Sequence, residues 1–168
     1  MSEKFFKTAC LAICYAMLSV SSAFASHQQP SSSETDQAAI RTLISQWVEA
    51  YKHLDAKRLA ALEIPDVQTV DRFGALHAPS GRNENETLWA DAFNMVSSTS
   101  AAPTVTLERI QFLRPDVALV QMRWRFSEGI LFVDGERMPP FSQVDTYVVI
   151  KSEGVWLVAA HNMQEEKP

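Results

Sequence analysis

The sequence predicts an α+β domain in which the helices come first and an antiparallel sheet follows. Three observations carry this. Four long apolar runs, Val105 to Leu113, Val117 to Phe126, Val144 to Lys151 and Val155 to Asn162, are separated by turn chemistry. Ahead of them, apolar residues recur at helical spacing in stretches that start near Thr35, Asp55 and Asn83. Strands and helices are segregated along the chain, whereas a parallel α/β sheet needs them to alternate.

The chain opens on what reads as an export signal. Lys4 and Lys7 precede an apolar stretch from Thr8 to Val20, and Ala23-Phe24-Ala25 is a small-x-small cleavage site, so residues 1–25 are expected to be removed and the protein to be periplasmic or secreted. The apolar stretch is too short to span a membrane comfortably, so no stable insertion is expected after cleavage. Cleavage also removes Cys10 and Cys14, the two cysteines of the chain, and leaves a domain held together by its core alone. With a net charge of -5 and no basic stripe, nucleic acid is excluded as a partner.

Residues 26–34 are small and polar and read as a disordered leader. Thr35 is placed to cap a first helix with Asp36 in its first turn, and Ile40, Leu43, Ile44, Trp47, Val48 and Tyr51 form its apolar face. Asp55 is an N-cap for a short second helix over 56–62, which Pro65 stops. Val67 to Phe73 is a short possible strand, and Gly74, Pro79 and Gly81 make a loop before a third helix from Asn83 or Asn85 to about Val96. The sheet then follows from Thr104. Arg114-Pro115-Asp116 and Ser152-Glu153-Gly154 turn its first and last pairs, and Asp134-Gly135 suits a tight hairpin between them. The domain is expected to end at residue 163, with 164–168 a disordered tail.

The faces of the strands point to a partner. Over 144–151 both sides are largely apolar, with Val144, Thr146, Val148 and Ile150 on one and Tyr147 and Val149 on the other. A sheet with helices on one side is normally polar on the other, so a homodimer through the sheet is expected.

The element order, Leu43 to Asp55, Phe112 to Val120, Arg123-Trp124 and the closing Gly154 to Asn162 together resemble the SgcJ/EcaC-type family. That family belongs to the SnoaL-like branch of the nuclear transport factor 2-like superfamily. The resemblance covers about Asp36 to Asn162, and the chain departs from it around Leu62 to Arg82. It implies a cystatin-like cone, a strongly curved sheet wrapped around three helices with a pocket at the wide end, and frequent dimers. The superfamily holds ketosteroid isomerases, polyketide cyclases and epoxide hydrolases beside domains without catalysis, so the fold alone names no reaction.

Enzymes on this fold commonly work without a metal, by moving a proton with a carboxylate or histidine inside an apolar cone. The candidate catalytic residues are Asp145, His161 and Asn162. Asp145 interrupts an apolar strand, and is either a buried base or a group that sits in water near the strand's open end or pairs with Arg123 or Arg125. His161 and Asn162 must face opposite ways. The resemblance places Thr146 and Asn162 inside and leaves His161 at the rim or the dimer. Trp47 and Tyr51 are the aromatic residues expected to line the pocket, and Arg123 is a candidate for a ligand carboxylate or for cross-dimer ion pairs.

No cofactor or metal is expected. His27, His53, His77 and His161 lack metal-ligand spacing, the five glycines form no nucleotide fingerprint, and no serine sits in a nucleophile elbow. The functions compatible with these residues are binding of a small, largely apolar organic molecule, acid–base catalysis on such a molecule, or non-catalytic assembly.

Overall fold

The computed structural model describes residues 34–166, so the expected signal segment and nearly all of the expected leader lie outside the described residues. Helix α1 spans Glu34–Lys52, α2 Ala56–Ala61 and α3 Arg82–Asn94. The strands are β1 (Glu63–Val70), β2 (Leu76–His77), β3 (Thr104–Arg114), β4 (Val117–Phe126), β5 (Ile130–Leu131), β6 (Arg137–Met138), β7 (Phe141–Ser152) and β8 (Val155–Glu165). Six of them form one sheet in the order β2-β1-β8-β7-β4-β3, and β5 and β6 form a separate hairpin. The expected α+β architecture holds.

The meander β3-β4-β7-β8 is antiparallel throughout. The sheet as a whole is mixed, because β1 pairs in parallel with β8. That strand begins at Glu63, four residues before the expected Val67, and Pro65 lies within it instead of ending a helix. Its missing N–H is tolerated because the pairing with β8 is interrupted between Glu63 and Gln68. Helix α1 starts at Glu34, so Thr35 lies inside its first turn and is not the cap. Strand β8 continues to Glu165, past the expected domain end at residue 163.

The apolar face of α1 packs as its spacing requires, with Ile40, Leu43, Ile44, Trp47 and Val48 all buried. Asp36 pins the helix to the far hairpin by accepting hydrogen bonds from Lys151 Nζ (2.7 Å) and Trp156 Nε1 (2.9 Å). Asp55 caps α2 through the Arg58 amide at 3.0 Å. Arg82, at the start of α3, donates to the carbonyls of Ala60 and Glu63, which ties α3 to the α2–β1 junction. Gly129 closes the turn after β4 with φ +70°, and any side chain there would collide with the Met138 backbone carbonyl.

One irregularity decides what enters the cone. Along β8, Val149 pairs with Val158 while Val148 pairs with Ala160, so Ala159 is an extra residue, a β-bulge. Trp156 and Val158 point inward; strict alternation would then bring Asn162 inward. The bulge shifts the phase by one, and His161 is buried while Asn162 is exposed.

Candidate functional site

Strand β7 has no bulge over its first half, so Gln143, Asp145, Tyr147 and Val149 all face the cone and are buried. The cross-strand register places Tyr147 opposite His161 and Thr146 opposite Asn162. The inward placement expected for Thr146 and Asn162 is therefore corrected: the two share the outer face, and Asn162 lines an open surface groove. Asp145 and His161, at 1% and 2% exposure, are interior. Arg123 is also outside, held by Glu108 (Nε to Oε1, 2.6 Å) and by Glu166. It is not near Asp145's hydrogen-bonding groups, and Asp145 is neither solvated nor paired with an arginine.

Asp145 is the centre of a closed polar cluster. Its Oδ1 accepts from Gln143 Nε2 at 2.8 Å, and its Oδ2 accepts from Tyr147 Oη at 3.1 Å and from His161 Nε2 at 3.0 Å. The His161 ring stacks on Tyr147 with centroids 4.2 Å apart and meets the edge of Trp47 at 5.3 Å. Among the described residues, no partner meets His161 Nδ1 or Trp124 Nε1 with good hydrogen-bond geometry. Burial drives the Tyr147 phenol well above its ordinary value, with the charge of Asp145 adding to the shift. Burial likewise pushes Tyr51 up to about 12, with Asp145 raising and Arg72 lowering it.

These two shifts have a measurable sign. A phenol that stays protonated in the folded state gives stability below the ordinary value of 10 and loses it as the pH rises, for Tyr51 towards about 12. In an ultraviolet phenolate titration, Tyr147 should ionise only together with alkaline unfolding, and the half-buried Tyr51 only as the pH rises towards about 12. Normal titration of both would contradict their burial.

A second buried carboxylate lies on the other side of Trp47. Glu63, fully buried, accepts from Trp47 Nε1 (3.2 Å) through Oε1 and from Asn85 Nδ2 (2.8 Å) and Trp89 Nε1 (2.9 Å) through Oε2. Burial raises its carboxyl, and the three donated hydrogen bonds and the nearby His161 oppose that rise. Trp47 is the hub between the clusters. It contacts Trp89, Trp124 and Tyr147 edge-on at centroid distances of 5.7, 5.9 and 5.2 Å. Trp47 is thus core and has no part in a pocket wall. Tyr51 borders a recess of only about 60 Å³ beside Phe126 and Ile130.

The interior is consequently filled, and the usable opening lies at its edge. A cleft of about 240 Å³ runs between α3 and the β1–β2 pair. Leu88, Trp89, Ala92, Met95 and Met163 make it apolar, and Thr69 and Asn85 supply polar atoms. At its rim sits a pair absent from the sequence-derived candidates. His77 Nε2 lies 3.0 Å from Asp71 Oδ2, and Asp71 Oδ1 accepts from the amides of Phe73 and Ala75, both at 2.9 Å. Desolvation pushes the Asp71 carboxyl up, but the hydrogen bonds from His77, Ala75 and Phe73 outweigh it and hold the group below its ordinary value. With Asp71 ionised, His77 Nε2 is the donor in this contact. The local sequence does contain the signal: Asp71 followed by Gly74, at φ 84°, is a side-chain-stabilised turn that brings His77 back beside Asp71.

With this geometry in view, other structures can be compared. No family model matches the chain, and no curated protein matches it. Solved structures do. A ketosteroid isomerase-like protein from Erwinia carotovora atroseptica superposes with a TM-score of 0.69 at 15% identity, covering 81% of this chain and 100% of that one. The fold is that of the nuclear transport factor 2-like and cystatin-like proteins. A Caulobacter vibrioides protein with a cystatin-like fold gives 0.65 at 21% identity, over 79% of this chain and 90% of its own. An NTF2-like protein of unknown function from Pseudomonas putida gives 0.63 at 18%, over 82% and 92%. At these identities the likeness concerns the fold, and chemistry has to be argued from the residues.

Proposed function

We propose that this NTF2-like domain binds a small, largely apolar organic molecule in the cleft between α3 and the β1–β2 pair. The observation that supports this most is the cleft itself: an apolar trough of about 240 Å³ with few polar groups at defined places. The Asp145–His161 cluster is assigned to the interior of the fold, because its hydrogen bonds are made within the protein and aromatic rings close over it. Filling the cleft tests the assignment. Native mass spectrometry of the protein from its own host should show a discrete extra mass that Ala92→Trp abolishes. An extra mass that survives Ala92→Trp would move the ligand elsewhere.

A second reading is acid–base catalysis in the same cleft, favoured by the Asp71–His77 pair. Here His77 moves the proton and Asp71 orients it. Once a substrate is in hand, His77→Gln should cut turnover by about a hundredfold or more with binding retained; unchanged turnover would leave binding alone.

The wider assignment is to the SgcJ/EcaC-type, SnoaL-like branch, exported after cleavage behind Ala25 and dimeric through the outer face of the sheet. The half-exposed apolar row Val117, Leu119, Val144, Val148 and Ile150 supports the dimer. Sedimentation should give a dimer that Val148→Glu dissociates, and a wild-type monomer would sink the proposal.

A further inference from the structure

Asn85 stands where the Glu63 network meets the cleft, and its two amide atoms have different duties. It is 3% exposed, yet it lines the cleft. Its Nδ2 is committed to Glu63 Oε2 at 2.8 Å. The orientation of the amide is set by the rest of the network. Among the described residues, the other hydrogen-bond partners of Glu63 are the indoles of Trp47 and Trp89, which donate and cannot accept. An amide turned the other way would put its carbonyl oxygen against Glu63 Oε2, which already accepts from Trp89.

Asn85 Oδ1 is what remains. Among the described residues no donor reaches it, and it is not one of the atoms sealed inside the protein. Thr69 can either give or accept. Asn85 Oδ1 is therefore an acceptor at the cleft wall that the described residues leave without a donor.

We propose that the cleft selects small apolar molecules that carry a hydroxyl hydrogen, with Asn85 Oδ1 as the specificity-determining acceptor. This rests on the cleft being the binding site. A ketone of the same size would set its oxygen against Asn85 Oδ1 and leave that atom desolvated and unpaired, and such a mismatch is worth about tenfold in affinity or more. An anionic ligand would meet the ionised Asp71 at the rim.

The test compares cyclohexanol with cyclohexanone, matched in size, by NMR titration of the full chain. The expected result is that cyclohexanol binds about tenfold tighter or more, and that the ratio is unchanged in Thr69→Val. Equal binding, or tighter binding of cyclohexanone, would overturn the inference while leaving the cleft as the site. A preference that collapses in Thr69→Val would overturn it by moving the selecting group to Thr69. Failure of both compounds to bind would overturn the cleft reading, and this inference with it.

Discussion

Glu63→Leu is expected to lower the unfolding free energy by about 3 to 5 kcal/mol, because it leaves three buried donors without an acceptor. Those donors are the indoles of Trp47 and Trp89 and the amide of Asn85. Each belongs to a different part of the fold: Trp47 to α1, and Asn85 and Trp89 to successive turns of α3. Glu63 lies at the start of β1, so one carboxylate ties two helices to the sheet. In a domain of this size the loss would move the melting temperature down by about 10 °C. Urea denaturation is the direct measurement. A loss below about 1 kcal/mol, the scale of a surface substitution, would show that the network is not closed as described.

Asp145→Leu should be nearly as costly, about 3 kcal/mol, since Gln143, Tyr147 and His161 lose their common acceptor. The informative experiment is the double substitution Asp145→Leu with His161→Leu. Removing both members of a buried polar pair in favour of apolar groups costs less than stranding one of them. The double variant should therefore recover about 1 to 2 kcal/mol relative to Asp145→Leu alone. Simple additivity of the two losses would mean that the two side chains do not interact in solution. Both variants should keep cyclohexanol binding wherever they stay folded, because neither residue lines the cleft.

The sheet was legible in the sequence wherever turn chemistry bounded an apolar run. Pro115-Asp116 and Glu153-Gly154 mark the two hairpin turns, and alternation puts Ala118, Val120, Met122, Trp124 and Phe126 on one face of β4, all buried in the fold. Asp145 was conspicuous because a carboxylate in an apolar strand demands an explanation. What was not legible depended on partners distant in sequence. Glu63 reads as a surface acid before a proline until α1 and α3 bring two indoles and an amide to it. The start of β1 was obscured for the same reason, since Pro65 and Asp66 look like a loop and are tolerated only where the pairing with β8 lapses.

Parity on β8 failed on a single residue. From Trp156 and Val158 the alternation runs to Asn162, and a bulge at Ala159 has no mark in the residue types around it. That one extra residue exchanges an exposed asparagine for a buried histidine and completes the Asp145 cluster. His77 has no second metal-ligand histidine near it in sequence; its partner is a carboxylate six residues earlier, across a turn.

The four tryptophans provide a way to locate the ligand without knowing its identity in the cell. Trp89 lines the cleft, Trp47 shares Glu63 with it, Trp124 lies deep in the cone, and Trp156 is bonded to Asp36 on the far side. In nitrogen-labelled protein titrated with cyclohexanol, the Trp89 indole resonance should move first and furthest. Trp47 should follow weakly through Glu63, with Trp124 and Trp156 unmoved. A shift of Trp124 with Trp89 stationary would contradict the account and place the ligand in the depth of the cone, beside Asp145 and His161.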